Sequence, residues 1–277
     1  MQPGLMHASS RESLKLLRAE VDEVVDSLPA AEAGGLSDEL FEVAEVLNRE
    51  VTLRRLLSDS SSEPQRRAEF AEELFGSRVS APALRLVVAA VRAKWSFASD
   101  LVDALIDAAR QVALAVAEAD GTLDTVEEEL FRFGRILDAN SDLHSLLSDV
   151  STPTEQKLNL LESLVAGKVT PTAERLLRQV VVAPRSRHVE TAIQELSELA
   201  ARRRERSIAY VKSARPLSTT QESRLVTALT SIYNRPISVR LDVDADVLGG
   251  LRVTVGDEVI DGSVAHRLDE VRRRLAG

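Results

Sequence analysis

The sequence predicts a multidomain chain, α and α+β in class, with two tandem α-helical bundles followed by a small α+β domain at the C-terminal end. Three observations predict it. Apolar residues recur at three- and four-residue spacing from about residue 9 to residue 206, the period of helices with one buried face. Within that stretch residues repeat at a shift of ninety positions, as between Glu39-Leu40-Phe41 and Glu129-Leu130-Phe131. Beyond residue 207 the apolar period falls to two, that of a half-buried strand.

The helical part is divided by breakers. Pro29 with Gly34 and Gly35, Ser60-Ser61-Ser62 before Pro64, and then Gly76, Pro82, Gly121, Pro153, Gly167, Pro171 and Pro184 cut it into helices of ordinary length. Leu101, Leu105, Ala108 and Val112 form the apolar stripe of one of them, with Asp103, Asp107 and Arg110 on its other faces. The repeat keeps its register through two loops. Leu56-Leu57-Ser58-Asp59 matches Leu146-Leu147-Ser148-Asp149, Leu74 matches Leu164, Val79 matches Val169, Ala83 matches Ala173, and Arg85-Leu86 matches Arg175-Leu176. Accidental matches between leucine-rich helices do not hold a gap-free register across loops, so the stretch reads as a duplication. The bundles are assigned to residues 1–120 and 121–206, and the α+β domain to residues 207–277.

In that last domain, Ile208, Tyr210 and the residues to Ser213 suggest a first strand. Ser218 and Gln221 have capping-box spacing for a helix carrying Leu225, Leu229 and Ile232, which Asn234-Arg235-Pro236 ends. Ile237, Val239, Leu241 and Val243 alternate with Ser238, Arg240 and Asp242 as a second strand. After Gly249-Gly250, a third strand alternates Leu251, Val253 and Val255 with Arg252 and Thr254; Gly256-Asp257 turns the chain into a short fourth strand at Val259 and Ile260. Asp261-Gly262 stops that strand, and Asp261 or Ser263 caps a final helix with Val264, Leu268, Val271 and Leu275 on one stripe. Arg267 and Arg272-Arg273-Arg274 crowd its other faces and last turn, where cations complement the helix dipole.

Composition narrows the function classes. At 277 residues the chain is long enough for two or three domains, and with 3% aromatic residues their cores must be built from Leu, Val, Ala and Ile. The absence of cysteine removes disulfides, thiolate metal sites and a cysteine nucleophile, and a reducing compartment is expected. A net charge of -9 argues against broad attraction to nucleic acid or anionic lipid. No apolar run approaches the roughly 20 residues that cross a bilayer. The longest candidate, residues 84–91, is broken by Arg85, and the first seventeen residues carry His7, Arg11, Glu12 and Lys15 without a signal-peptide core.

Motifs with chemical potential resolve into structural ones. Asp242, Asp244 and Asp246 imitate the start of a calcium loop, but Val247 and Val253 stand where its glycine and glutamate belong. Asp120-Gly121 with Asp124 and Glu127-Glu128-Glu129 reads as a turn and an acidic helix start. Gly167-Lys168 lacks the earlier glycine of a phosphate loop, where Glu162 stands, and has Val169 in place of its hydroxyl residue; it reads as a helix end. His7, His144, His188 and His266 are isolated from one another, and no nucleophile elbow occurs. Arg202-Arg203-Arg204-Glu205-Arg206 has no interleaved aromatics and reads as a solvated helix end, while Trp95, near Phe97, reads as a core anchor. No catalytic residue, metal ligand or cofactor is expected.

The order Gly249-Gly250, alternating strand, Gly256-Asp257, Val259-Ile260-Asp261-Gly262-Ser263-Val264 and an Arg-Leu helix resembles the C-terminal signature of the delta subunit of F-type ATP synthases, the oligomycin-sensitivity-conferring protein family. The stretches 211–218 and 237–244 are similar to the strands and helix entry that precede it, and the resemblance extends to Leu40-Phe41 with Ala44. It implies a non-catalytic stator subunit, one copy per complex, peripheral on the cytoplasmic face of the cell membrane. Its implied partners are the N-terminal helices of the alpha subunits, at the helical end, and the b subunit, at the C-terminal domain. Neither nucleic acid nor direct membrane insertion is implied. Gly249, Gly250, Asp261, Gly262 and Ser263 are the candidate stalk-facing motif; Leu14, Leu17 and Val21 with Leu101 and Leu105 are candidates for a head-facing groove. The usual member of the family has one bundle, so the second is a departure. The alternative is a helical adaptor of another multisubunit complex.

Overall fold

The computed structural model describes residues 7–28, 30–149, 151–183, 189–206, 208–233, 237–244, 250–256 and 258–262. It divides into two compact units, Met1–Ala200 and Ala201–Gly277. The helices are α1 (Ala8–Ser27), α2 (Ala30–Arg49), α3 (Val51–Ser58), α4 (Pro64–Phe75), α5 (Ala81–Arg92), α6 (Ala98–Ala119), α7 (Leu123–Ala139), α8 (Ser141–Ser148), α9 (Thr154–Val165), α10 (Pro171–Val182), α11 (Val189–Arg206) and α12 (Thr219–Tyr233). The strands are β1 (Ile208–Ser213), β2 (Ser238–Val243), β3 (Leu251–Val255) and β4 (Glu258–Asp261).

The ninety-residue repeat is visible in hydrogen bonds as well as in helix order. Ser80 and Thr170 cap α5 and α10, each side chain accepting from the amide three residues on. Glu39 on α2 accepts from the Ser80 amide and hydroxyl, and Glu129 on α7 accepts in the same way from Thr170. Asp59 receives the Ser61 amide and the Ser61 and Ser62 hydroxyls. Asp149 receives the Ser151 amide with the Ser151 and Thr152 hydroxyls. Those donors hold both carboxyl groups below the usual carboxylate range. Helix for helix, α1 to α5 correspond to α6 to α10. The array therefore continues by sharing α6, which is sixth helix of the first set and first helix of the second.

Two apolar clusters fill this unit. One runs from Leu14 to Val112 and contains Trp95, whose indole N–H donates to the Ala90 carbonyl at 2.8 Å; the other begins at Ala113 on the same α6 and ends at Ala200. Gly34 and Gly35 do not interrupt the chain, contrary to the breaker pattern, because α2 runs through both. Each glycine costs about 1 kcal/mol against alanine in a helix interior. Burial of Ala33, Leu36, Leu40, Val43, Ala44 and Leu47 on the same helix outweighs that cost. Gly121 and Gly167 take φ of 68°, the left-handed conformation that ends a helix, as expected for a turn and a helix end.

The second unit contains a four-stranded sheet in the order β2-β1-β3-β4, with β1 and β2 parallel and the other pairs antiparallel. The α12 helix joins the parallel pair, and Ser218 and Gln221 make the expected capping box. Its core is Ala209, Val211, Leu229, Ile237, Val253 and Val255. Ile232, placed by its spacing on the apolar stripe of α12, is 66% exposed, because the face that packs on the domain core runs through Leu225, Leu229 and Tyr233. Arg203 in the basic run is buried rather than solvated. The final helix expected from Val264 to Leu275 lies outside the described residues, as do the turn residues 234–236 and Asp257.

Candidate interaction surfaces

The five residues expected to line a head-facing groove come together, but as core. Leu14, Leu17 and Val21 on α1 and Leu101 and Leu105 on α6 belong to the first apolar cluster and are at most 8% exposed. Polar bonds lock the two helices over them. Arg18 grips Asp107 with two parallel bonds of 2.8 and 2.7 Å, which raises the guanidinium above its ordinary value. Ser10 donates to the buried Asp100 at 2.6 Å, and Arg85 of α5 reaches Glu20 and Glu23 on α1 at 2.6 and 2.9 Å. The large apolar side chain that α1 offers to solvent is Leu16, 63% exposed.

Where the two helical sets meet, α10 faces α2 across a cavity. Asp38, Phe41 and Glu45 of α2 and Arg175, Arg178 and Val182 of α10 line a cavity of about 410 Å³ there. The Arg175–Asp38 ion pair at 2.7 Å and the bonds from Arg110 to Gln179 at 2.9 and 3.1 Å fix this junction, and Phe41 packs against both clusters. A second groove of about 410 Å³ runs between α7 and α11, lined by Phe131, Gly134, Arg135, Asp138, Ile193 and Glu198 among others. The sequence reading missed this groove. Its signal was present in Phe131, the repeat partner of Phe41, and in a glycine placed in the middle of α7.

At the C-terminal signature the described residues show why glycine is present. Gly250 has φ of 83° at the entry to β3, a region that a Cβ disfavours. Gly262 donates its amide to the Leu251 carbonyl at 2.9 Å, and a Cβ there would come within 3.2 Å of that oxygen. Asp261 stands opposite Arg252 in the β3–β4 pair. Gly249 and Ser263 lie outside the described residues. On the neighbouring strands Lys212 pairs with Asp244 at 3.1 Å, so that aspartate has a structural partner.

Among the described residues no helix is long and apolar enough to cross a membrane, and no group of three His, Asp or Glu is placed to hold a metal ion. Comparison with known proteins supplies what local geometry does not. The profile of the ATP synthase delta (OSCP) subunit matches residues 109–275, beginning inside α6 and taking in the second helical set and the C-terminal unit. The chain is 48% identical to "ATP synthase subunit delta" of Streptomyces coelicolor over 98% of both chains. It is 43% identical to that of Rhodococcus opacus, over 98% of this chain and 99% of the other. With "ATP synthase subunit b-delta" of a Mycobacterium strain it shares 40% identity over 98% of this chain and 61% of that one. The first helical set, which the family profile does not reach, is thus present in these full-length relatives. Their match, and that of the profile, establish that the chain belongs to the ATP synthase delta (OSCP) family, whose members are structural subunits of the peripheral stalk and not catalytic on their own.

Proposed function

We propose that this chain is the stator link of an F-type ATP synthase, joining the alpha subunits of the catalytic head to the b-subunit stalk on the cytoplasmic face of the cell membrane. The observation that carries the reading is the match along nearly the whole chain to proteins named ATP synthase subunit delta. The relative named b-delta supports b as the stalk partner. A stator must resist torque, and the helical unit is built for stiffness: two apolar clusters meet on one helix, and buried polar bonds such as Ser10 to Asp100 set its register. The head side is assigned to the first helical set, with Leu14, Leu17, Val21, Leu101 and Leu105 as the foundation of its surface. The b side is assigned to the C-terminal unit around Gly249, Gly250, Asp261, Gly262 and Ser263.

The test is co-isolation. The tagged chain, expressed with the other synthase subunits, is expected to bring down alpha, beta and b from solubilised membranes; recovery alone would sink the reading. Gly250→Val forces a β-branched residue to φ of 83° and is expected to destabilise the C-terminal unit by about 2 kcal/mol. Thermal unfolding and b recovery should fall together while alpha is retained. Unchanged recovery of b would count against the assignment of the b side.

A further inference from the structure

The ninety-residue repeat keeps a buried cation at the same position in both helical sets, but not the same cation. On α4 it is Arg67, whose guanidinium donates to five main-chain carbonyls: Asp59 and Ser62 in the loop before α4, and Val91, Arg92 and Ala93 at the end of α5. Ninety residues on, α9 carries Lys157, only 6% exposed. It lies in the corresponding place. Beyond the Ser151 and Thr152 donors, its positive charge helps to hold the Asp149 carboxyl down, as that of Arg67 does for Asp59 beyond Ser61 and Ser62. The carbonyls that correspond to the five are those of Asp149, Thr152, Val181, Val182 and Ala183. An ammonium carries its three donors on one atom, so it cannot span acceptors that a planar fork of five donors reaches. Among the described residues no hydrogen bond joins the Lys157 ammonium to any of them.

We propose that the second helical set carries a built-in release where α9 meets the end of α10: lysine in place of arginine lets α9 and the loop before it part from α10 in openings that the Arg67 lock denies to α4 and α5.

Other differences at the same end act in the same direction. In the first set Arg92 donates to Gln65 at 2.9 Å, a further tie from the end of α5 to α4; its counterpart Val182 cannot make that bond to Glu155, the counterpart of Gln65. The chain leaving α5 is then tied to α1, since Ser13 donates to the Lys94 carbonyl at 2.7 Å and accepts from its amide at 3.2 Å. Pro184 stands in place of Lys94 and has no amide hydrogen to give, and Arg185 stands in place of Trp95; both lie outside the described residues. Helix α4 also meets α5 more extensively than α9 meets α10. A segment with fewer ties opens at a lower free energy than the whole unit. The opening is local, because Leu176, Leu177 and Val180 hold α10 in the second apolar cluster with α6. Under the stator reading above, this end of the second set is where a load yields first.

Hydrogen exchange of the full chain, read by mass spectrometry on peptides of the four helices and corrected for intrinsic rates, tests the release. Main-chain amides of α9 and α10 are expected to exchange at least tenfold faster than those of α4 and α5. Lys157→Arg restores the fork and should slow α9 and α10 at least tenfold while leaving α4 and α5 unchanged. Arg67→Lys is the reciprocal variant and covers the case in which Lys157→Arg does not fold: it should raise exchange in α4 and α5 to that of α9 and α10, with the far-ultraviolet circular dichroism unchanged. Equal protection of the two helix pairs in the wild-type chain would overturn the proposal, and so would an Arg67→Lys chain whose α4 and α5 keep their protection. No slowing in a folded Lys157→Arg chain would count against it equally. The measurement needs no partner subunit, so its failure removes this inference and leaves the stator reading standing, whereas failed co-isolation removes that reading and leaves the release in place.

Discussion

Arg67→Met is expected to cost the helical unit about 3 kcal/mol, because it deletes a buried cation that satisfies five main-chain carbonyls at once. Arg67 lies on α4 and is 3% exposed. Its Nε donates to the Val91 carbonyl at 3.0 Å and its Nη2 to those of Arg92 and Ala93 at 3.1 and 3.2 Å; Nη1 donates to Asp59 and to Ser62 at 3.3 Å. The first three carbonyls end α5, where the helix dipole favours a cation, and the last two belong to the loop between α3 and α4. Burial alone pushes the guanidinium below its ordinary value, and the nearby Asp59 opposes that shift. Methionine fills much of the volume but leaves those acceptors dry and unpaired. For a unit of this size the loss corresponds to a fall of roughly 6–12 °C in melting temperature. The neighbouring Arg66, whose side chain is 81% exposed, is the control: Arg66→Met should stay within about 0.5 kcal/mol. A loss below about 1 kcal/mol for Arg67→Met would show that water replaces the guanidinium without penalty.

The bonds of Arg67 also mark where sequence reasoning stopped. The breakers Pro64, Gly76 and Pro82 marked where α4 and α5 begin and end, but nothing in a breaker or in an apolar period says that an arginine points inward. The same ambiguity explains the fate of Leu14, Leu17, Val21, Leu101 and Leu105. An apolar stripe marks the face that a helix buries, and it does not say whether the cover belongs to the chain or to a partner. Here the chain covers them, leaving at most 8% of each accessible. Surfaces that can meet another protein had to be found from what remains exposed after folding, which is a tertiary property. The repeat was legible because hydrogen-bonded loops preserve both length and residue type: Asp59-Ser60-Ser61 and Asp149-Val150-Ser151 need an acceptor and a donor two residues apart. Strands β2 and β3 were legible from alternation and β4 from the turns that bound it, yet the sheet order was not, since β1 sits between β2 and β3 only after α12 carries the chain across. Gly34 and Gly35 misled because local propensity is worth about 1 kcal/mol per residue and tertiary burial along α2 is worth several times that.

Sharing of α6 leads to the largest effect of all. A polypeptide of residues 121–206 is expected to be unfolded alone, while residues 98–206 fold. The sequence boundary at residue 120 falls just past the end of α6. Yet Ala113, Leu114 and Ala117 of that helix are fully buried in the second apolar cluster, beside Leu130, Leu177 and Val180. Deleting α6 strips those side chains and exposes the faces they cover, on the order of 400 Å² of apolar surface. At about 25 cal/mol per Å² the loss is about 10 kcal/mol, comparable to the whole stability of an ordinary domain. Far-ultraviolet circular dichroism and a thermal melt of the two fragments decide the matter. A cooperative transition in both would mean that the second set carries a complete core of its own. A transition in the longer fragment alone would make α6 the element through which the two sets stiffen each other. Unfolding of either set would then expose the α6 face of the other, and a load applied at one end of the array could not melt one set without weakening its neighbour. Mechanical coupling of that kind suits a link that carries torque, and it comes from one shared helix instead of a flexible joint between two finished domains.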